Sequence, residues 1–164
     1  MNEQPKAEVG APAPDFTLKD GEGREWRLSE QKGKVVVLLF YTGDETPVCT
    51  KQLCSVRDRW EDYAATGAEV VGVSTDTADS HQRFAERHAL PLRLLSDPGG
   101  RVARLYGATS WLPNRAARAV AVIDAGGRLR HRKVQPLSLF RPKDDDVLAA
   151  IRAARGQTPG SASD

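Results

Sequence analysis

Cysteine is scarce in this chain: Cys49 and Cys54 are the two thiols among 164 residues. Thiols five positions apart cannot staple distant parts of a fold, so a disulfide-built scaffold is excluded and a redox or catalytic use of the pair is favoured. Long apolar runs are missing as well. No stretch approaches the ~20 residues that span a bilayer, and the opening Met1-Asn2-Glu3-Gln4-Pro5-Lys6 is polar with no hydrophobic signal core behind it, so a cytoplasmic protein without a membrane partner is expected. The net charge of +2 argues neither for nor against a polyanionic partner. The one basic cluster, Arg128-Leu129-Arg130-His131-Arg132-Lys133, alternates as a strand and reads as a solvated face, not a nucleic-acid site. There are three histidines, His81, His88 and His131, and they fall on separate elements without ligand spacing to the cysteines. Exposed histidines and no metal site are therefore expected. A glycine-rich phosphate loop and a nucleophile elbow are also lacking, and no cofactor is expected.

What is present fits one domain with a proper core. Residues 1–8 read as a flexible tail, 9–155 as the domain and 156–164, rich in Gly, Ser and Pro, as a disordered tail. Phe16-Thr17-Leu18 and Trp26-Arg27-Leu28 flank Asp20-Gly21-Glu22-Gly23 as an N-terminal β-hairpin. Val35-Val36-Val37-Leu38-Leu39-Phe40-Tyr41 is apolar throughout and rich in Val, the pattern of a strand buried on both faces. A helix from Thr46 or Pro47 to about Ala65 is expected from the spacing of Leu53, Val56, Trp60 and Tyr63, with Gly67 as its stop. Further strands are expected at 70–73, 92–95, 119–124 and 129–134, the last two as a hairpin, with helices at 78–88, 101–106 and 143–155. This order predicts an α/β fold, a mixed sheet flanked by helices and compatible with a thioredoxin-like layout.

The chemistry concentrates at Cys49. It lies in the first turn of a helix that follows the carboxyl end of a central strand, where α/β folds place their reactive groups. Unpaired N–H groups and the positive end of the macrodipole favour thiolate over thiol there. Ionisation alone gives a gain of only ~30-fold at pH 7, so a fast enzyme also needs N–H donors, a hydroxyl and preferably a guanidinium around the reacting oxygen. Thr46, three residues before Cys49, is placed to offer the hydroxyl. On an ideal helix the Cα atoms of Cys49 and Cys54 would be ~8.6 Å apart, beyond the ~7 Å reach of a disulfide. A bridge between them therefore requires the first turns to unwind. Taken without further context, the pair fits equally a buried small residue beside an ordinary thiol.

The segment from Phe40 through Tyr41-Thr42-Gly43-Asp44-Glu45-Thr46-Pro47-Val48-Cys49-Thr50-Lys51-Gln52-Leu53-Cys54 to Val56-Arg57-Asp58 resembles the active-site segment of a peroxiredoxin, in particular the bacterioferritin comigratory protein group. The likeness continues through Gly72-Val73-Ser74-Thr75-Asp76, Phe84-Ala85, Leu94-Leu95-Ser96-Asp97-Pro98, Tyr106-Gly107 and Val122-Ile123-Asp124. The resemblance implies a thioredoxin-like fold and a peroxidase acting on hydrogen peroxide and organic hydroperoxides, with a thioredoxin-type dithiol protein returning the electrons. It implies Cys49 as peroxidatic cysteine, Cys54 as resolving cysteine in an intramolecular disulfide, Thr46 as the active-site hydroxyl and Arg118 as the thiolate-holding arginine, with Arg115 as its rival. A resolving cysteine on the same chain favours a monomer. Two departures stand out: Thr42 occupies the position where the family keeps a proline, and Ala119-Val120-Ala121 replaces the usual aromatic and hydroxyl residues after the arginine. Trp111 reads as a packing or contact residue. A non-catalytic redox sensor and a thiol-disulfide oxidoreductase are the alternatives, the latter disfavoured by the cysteine spacing.

Overall fold

The computed structural model describes residues 7–108, 117–135 and 144–156. Trp111, Arg115 and nearly all of both expected tails lie outside the described residues. The chain is already packed at Ala7, whose side chain is buried and whose N–H donates to the Leu105 carbonyl.

Seven strands form one mixed sheet. In chain order they are β1 (Thr17–Asp20), β2 (Glu25–Arg27), β3 (Val36–Phe40), β4 (Glu69–Ser74), β5 (Arg93–Ser96), β6 (Arg118–Ile123) and β7 (Leu129–Gln135), arranged β2-β1-β5-β4-β3-β6-β7. Strands β3, β4 and β5 run parallel, while β6 and β7 add antiparallel to the β3 side. The N-terminal hairpin β1–β2 closes the other edge, antiparallel to β5. The helices are α1 (Pro47–Asp58), α2 (Trp60–Ala65), α3 (Ala78–His88), α4 (Arg101–Leu105) and α5 (Asp144–Arg155).

The apolar run that starts at Val35 sorts itself by the two-residue period of a strand. Val36, Leu38 and Phe40 join one core with Val71, Val73, Leu95, Ala121 and Tyr106. Val37, Leu39 and Tyr41 join the other with Leu53, Val56, Phe84, Leu148 and Ile151, and Cys49 belongs to this second core. A strand covered on both faces needs no polar side, which is why its sequence does not alternate. Burying each Val, Leu or Phe is worth about 1.5–3 kcal/mol. The turns are closed by aspartates that the sequence pairs with glycine or proline. Asp97 accepts from the N–H groups of Val102 and Ala103 at the start of α4. Asp124 accepts from Gly126 N, Arg128 N and the Arg130 guanidinium.

Three expectations are corrected. The helix after β3 does not run unbroken to Ala65: it stops at Asp58, and Arg59 (φ −108°, ψ 22°) separates α1 from α2. Arg59 is held there by Asp62 and Asp145, and Tyr63 reaches Asp144 at the start of α5, so α2 is re-aimed to meet a partner that helical periodicity cannot register. None of the three histidines is exposed: His81 is buried and His88 and His131 are half-buried. The basic cluster is also less free than expected of a solvated face: Arg128 and Arg132 donate to the carbonyls of Gly10 and Ala7, fastening the N-terminal segment.

His81 anchors the loop that leaves β3. Its Nε2 donates to the Leu95 carbonyl (3.0 Å), and its Nδ1 lies 2.9 and 3.1 Å from the two Asp44 carboxylate oxygens. Tyr41 Oη and Ser80 Oγ also donate to Asp44 (2.6 and 2.7 Å). Burial alone would push the Asp44 carboxyl up, but the hydrogen bonds from His81 and Tyr41, the charge of His81 and the Ser80 bond outweigh it and hold the group below the usual carboxylate range. Burial and the Asp44 charge keep the Tyr41 phenol protonated well above its ordinary range, as a donor must be. The Asp44 backbone N–H in turn donates to Asp76, which also takes the Ser74 hydroxyl at the end of β4. Next in sequence, Glu45 has φ 63°, a left-handed conformation unusual outside glycine, and its carboxylate meets His88 and Arg87.

Two outcomes follow for stability. A carboxyl depressed in the folded state adds stability above its ordinary value of about 4 and loses it as pH falls through the lowered value. Asp44→Asn should therefore flatten the acid side of the stability-versus-pH curve and cost about 1–3 kcal/mol at neutral pH, measured by urea unfolding between neutral and acid pH. Gly72 sits on β4 where an added Cβ would lie 2.9 Å from Leu94 Cδ2 and 3.2 Å from Tyr41 Cε1. Gly72→Ala should destabilise by about 1–3 kcal/mol through overpacking, and an unchanged denaturation midpoint would show that Leu94 and Tyr41 yield without cost.

Candidate active site

Cys49 is the third residue of α1 and is completely buried, as a free thiol. Pro47 opens the helix with the φ it needs and no N–H to satisfy. Thr46 is the N-cap by backbone geometry, yet its side chain makes no cap hydrogen bond. Its hydroxyl instead donates to the Gly43 carbonyl at 2.8 Å. The first-turn N–H groups, which have no partner within the helix, are thus left without the hydroxyl that ordinarily takes one of them.

Thr42 Oγ1 lies 3.2 Å from Cys49 Sγ. Burial pushes the Cys49 thiol up, but the hydroxyl of Thr42 first, then the nearby hydroxyl of Thr46 and the backbone of Gly43 and Thr42, more than offset it, leaving the group below its ordinary value. The loop of residues 42–46, the one held by Asp44 and His81, therefore supplies much of the polar environment that favours a thiolate. The site is a buried sulfur poised to carry charge.

Arg118 is the first residue of β6 and is buried. Its neighbour Ala119 pairs with Phe40, so Arg118 stands level with Tyr41 at the end of β3 from which the loop departs. Strand alternation puts it on the same face as Val120 and Val122, the face that packs with Cys49. Cys54 sits five residues further along α1, partly exposed and also a free thiol. The structure thus brings Cys49, Thr46 and Arg118 to one end of the sheet and places Cys54 on the same helix, without a bond between the sulfurs.

Sequence analysis assigns no site role to Gln52, Asp44 or His81. Gln52, one turn beyond Cys49, is buried, and neither atom of its side-chain amide has a hydrogen-bond partner among the described residues. The spacing of three from Cys49 was the one available signal, because i and i+3 share a helix face. Asp44 and His81 are 37 positions apart in the chain, and no local pattern links them. Asp44, Asp76 and His81 form the one cluster of potential metal ligands among the described residues. Their atoms are engaged with Tyr41, Ser80, Ser74, the Asp44 N–H and the Leu95 carbonyl, so the cluster is built as a hydrogen-bonded network. No helix among the described residues is long and apolar enough to cross a membrane.

Comparison with known proteins agrees with this layout. Residues 9–132 match the AhpC/TSA family. The chain is 48% identical over 123 residues to the chloroplastic peroxiredoxin Q of Sedum lineare, covering 74% of this chain and 66% of that protein. It is 46% identical over 127 residues to the chloroplastic peroxiredoxin Q of Triticum aestivum, covering 77% of this chain and 58% of that one. The chain thus spans roughly three-fifths of the length of these relatives. Among solved structures, the peroxidoxin BcpB of Mycobacterium tuberculosis superposes with a TM-score of 0.80 at 34% identity, over 91% of this chain and 99% of that one. A peroxiredoxin-like protein from Aquifex aeolicus shares the fold, with a TM-score of 0.82 at 24% identity over 92% of this chain and 90% of that one. With its mixed sheet, its buried thiol at the start of α1 and a family match over most of its length, the chain belongs to the AhpC/TSA family of peroxiredoxins.

Proposed function

We propose that this protein is a thiol peroxidase that reduces hydrogen peroxide and organic hydroperoxides. The observation that carries the reading is the buried Cys49 sulfur, held below its ordinary pKa by the loop in front of it, with a second thiol on the same helix. The Cys49 thiolate attacks the terminal peroxide oxygen. The S–O bond forms as the O–O bond breaks, the alkoxide or hydroxide leaves and takes up a proton, and cysteine is oxidised to sulfenic acid. Thr46 and the first-turn N–H groups hold the peroxide in line, and the Arg118 guanidinium supplies positive charge as negative charge moves onto the departing oxygen.

Cys54 then attacks the Cys49 sulfur as thiolate, an S–S bond forms and water leaves. Both cysteines lie within the regular helix α1, where a bridge cannot close, so the segment between them unwinds first. The buried, unpaired amide of Gln52 lies in that segment and weakens it. A thioredoxin-type dithiol protein reduces the bridge by thiol–disulfide exchange and restores both thiols. The same chain holds both sulfurs, so a monomer suffices for the cycle.

With thioredoxin, its reductase and NADPH, wild type is expected to consume peroxide continuously. Cys49→Ser should abolish turnover, and Cys54→Ser should impair it and accumulate a sulfenic acid that a dimedone-type probe traps. A single oxidation per cysteine pair in wild type would replace the peroxidase by a sensor, and unimpaired Cys54→Ser would remove the resolving role. Gln52→Met, which replaces the orphaned amide by an apolar chain of similar length, should stabilise the reduced protein by about 1–3 kcal/mol. It should also slow disulfide closure, followed by quenched-flow mass spectrometry. A faster closure would show that Gln52 does not ease the unwinding.

A further inference from the structure

The resting sulfur is flanked by two threonine hydroxyls, and each has a single proton to donate. Thr46 gives its proton to the Gly43 carbonyl at 2.8 Å, because a carbonyl can only accept. What Thr46 Oγ1 presents elsewhere in that arrangement is a lone pair, which suits an incoming S–H or O–H and not an anion. It can turn its proton toward the sulfur only by giving up the Gly43 bond. Thr42 Oγ1 lies 3.2 Å from Sγ. A thiolate has no proton to give, so once Cys49 ionises the hydrogen bond between these two atoms runs from Thr42 to sulfur. Thr42 stands where the resemblance led to the expectation of a proline, a residue with no hydroxyl and no N–H to offer.

We propose that Thr42 is a catalytic residue: its hydroxyl is the principal side-chain donor to the resting Cys49 thiolate, and Thr46 is reserved for the peroxide. This rests on the peroxidase reading for its second half only, since the first concerns the reduced protein alone. Thr42 is also the first of the groups that pull the Cys49 thiol down against its burial, ahead of Thr46. The division of labour has a functional sense. A hydroxyl already bonded to sulfur cannot donate to substrate without exposing the charge it holds, whereas Thr46 can exchange the Gly43 carbonyl for a peroxide oxygen while Thr42 keeps the thiolate in place.

The test is a pH titration of thiolate absorbance in the reduced full chain, with Cys49→Ser subtracted to remove Cys54 and the tyrosines. Thr42→Val, Thr42→Ser and Thr46→Val are compared with wild type. The other charged and titratable groups packed on this face, Arg118 from β6, Tyr41, the Asp44–His81 pair and Tyr63, are the same in all four proteins. Thr42→Val should raise the Cys49 midpoint by about one pH unit or more, the scale of one hydrogen bond to a charged group. Thr42→Ser should restore it, and Thr46→Val should move it by less than half as much. An equal or larger shift in Thr46→Val, no shift in Thr42→Val, or failure of serine to rescue would each overturn the assignment. Circular dichroism of each reduced variant confirms the fold, and if Thr42→Val does not fold, Thr42→Ala against Thr42→Ser makes the same comparison.

Single-turnover oxidation by hydrogen peroxide tests the second half. The Thr42→Val rate should fall near pH 6 and recover towards wild type near pH 9, where the thiolate forms unaided. The Thr46→Val rate should stay depressed at both. A Thr42→Val defect that persists at alkaline pH would place Thr42 on the substrate and overturn the division. A wild type that does not react with peroxide would end the peroxidase reading and leave the thiolate assignment to stand or fall on the titration.

Discussion

Placing a charge-bearing sulfur inside a hydrophobic core sets the terms for the rest of this structure. Water would stabilise a thiolate; Val37, Leu39 and Leu53 cannot. Every polar contribution has to come from atoms already in position, and nearly all of them belong to residues 42–49. The backbone of that loop must consequently be fixed before the chemistry can work. Asp44 does the fixing, tied through its carboxylate to α3 and through its N–H to the end of β4. The buried hydrogen-bonded pair of Asp44 and His81 is thus better understood as a means of specifying loop geometry than as a gain in stability, since burying both polar partners costs much of what their contact returns.

The same economy explains the opening of α1. A threonine at the N-cap would ordinarily close off a first-turn N–H, and proline at the next position would complete a conventional helix start. Here the threonine hydroxyl turns away to Gly43 and leaves the first-turn donors uncapped by it. An incomplete cap, a left-handed Glu45 and an unpaired Gln52 amide lie within eight residues of one another. Features that weaken folding cluster around the buried thiol, where the proposed function calls for anion binding and local unwinding.

Much of this was legible in the sequence. The uninterrupted apolar run before Cys49 announced a strand covered on both faces, and Gly67, Pro91 and the Asp-Gly turns marked the punctuation between elements. Their signals are local, carried by sterics and period. The position of Cys49 in the first turn of a helix was equally readable, since Thr46-Pro47 is a strong start. The break at Arg59 was not, because Leu53, Val56, Trp60 and Tyr63 keep helical spacing across it while the forces that bend the chain come from Asp144 and Asp145, more than 80 residues away. His81 was misjudged as exposed for a related reason: its partners, Asp44 and the Leu95 carbonyl, reach it from two other elements. Thr42 could be seen as a departure from its family, but what the departure does depends on a contact across the loop.

Three external fastenings gather in the second half of α1 and at its end. Ser55 donates to Asp144 at the head of α5, Arg57 donates to the His88 carbonyl at the end of α3, and Arg59, at the helix boundary, is clamped to Asp145. All three follow Cys54 directly. In the proposed cycle they act as a firebreak: unwinding between the sulfurs meets these anchors once it has passed Cys54. The anchors thereby confine the proposed exchange of helix for disulfide to the segment between the sulfurs and spare the core.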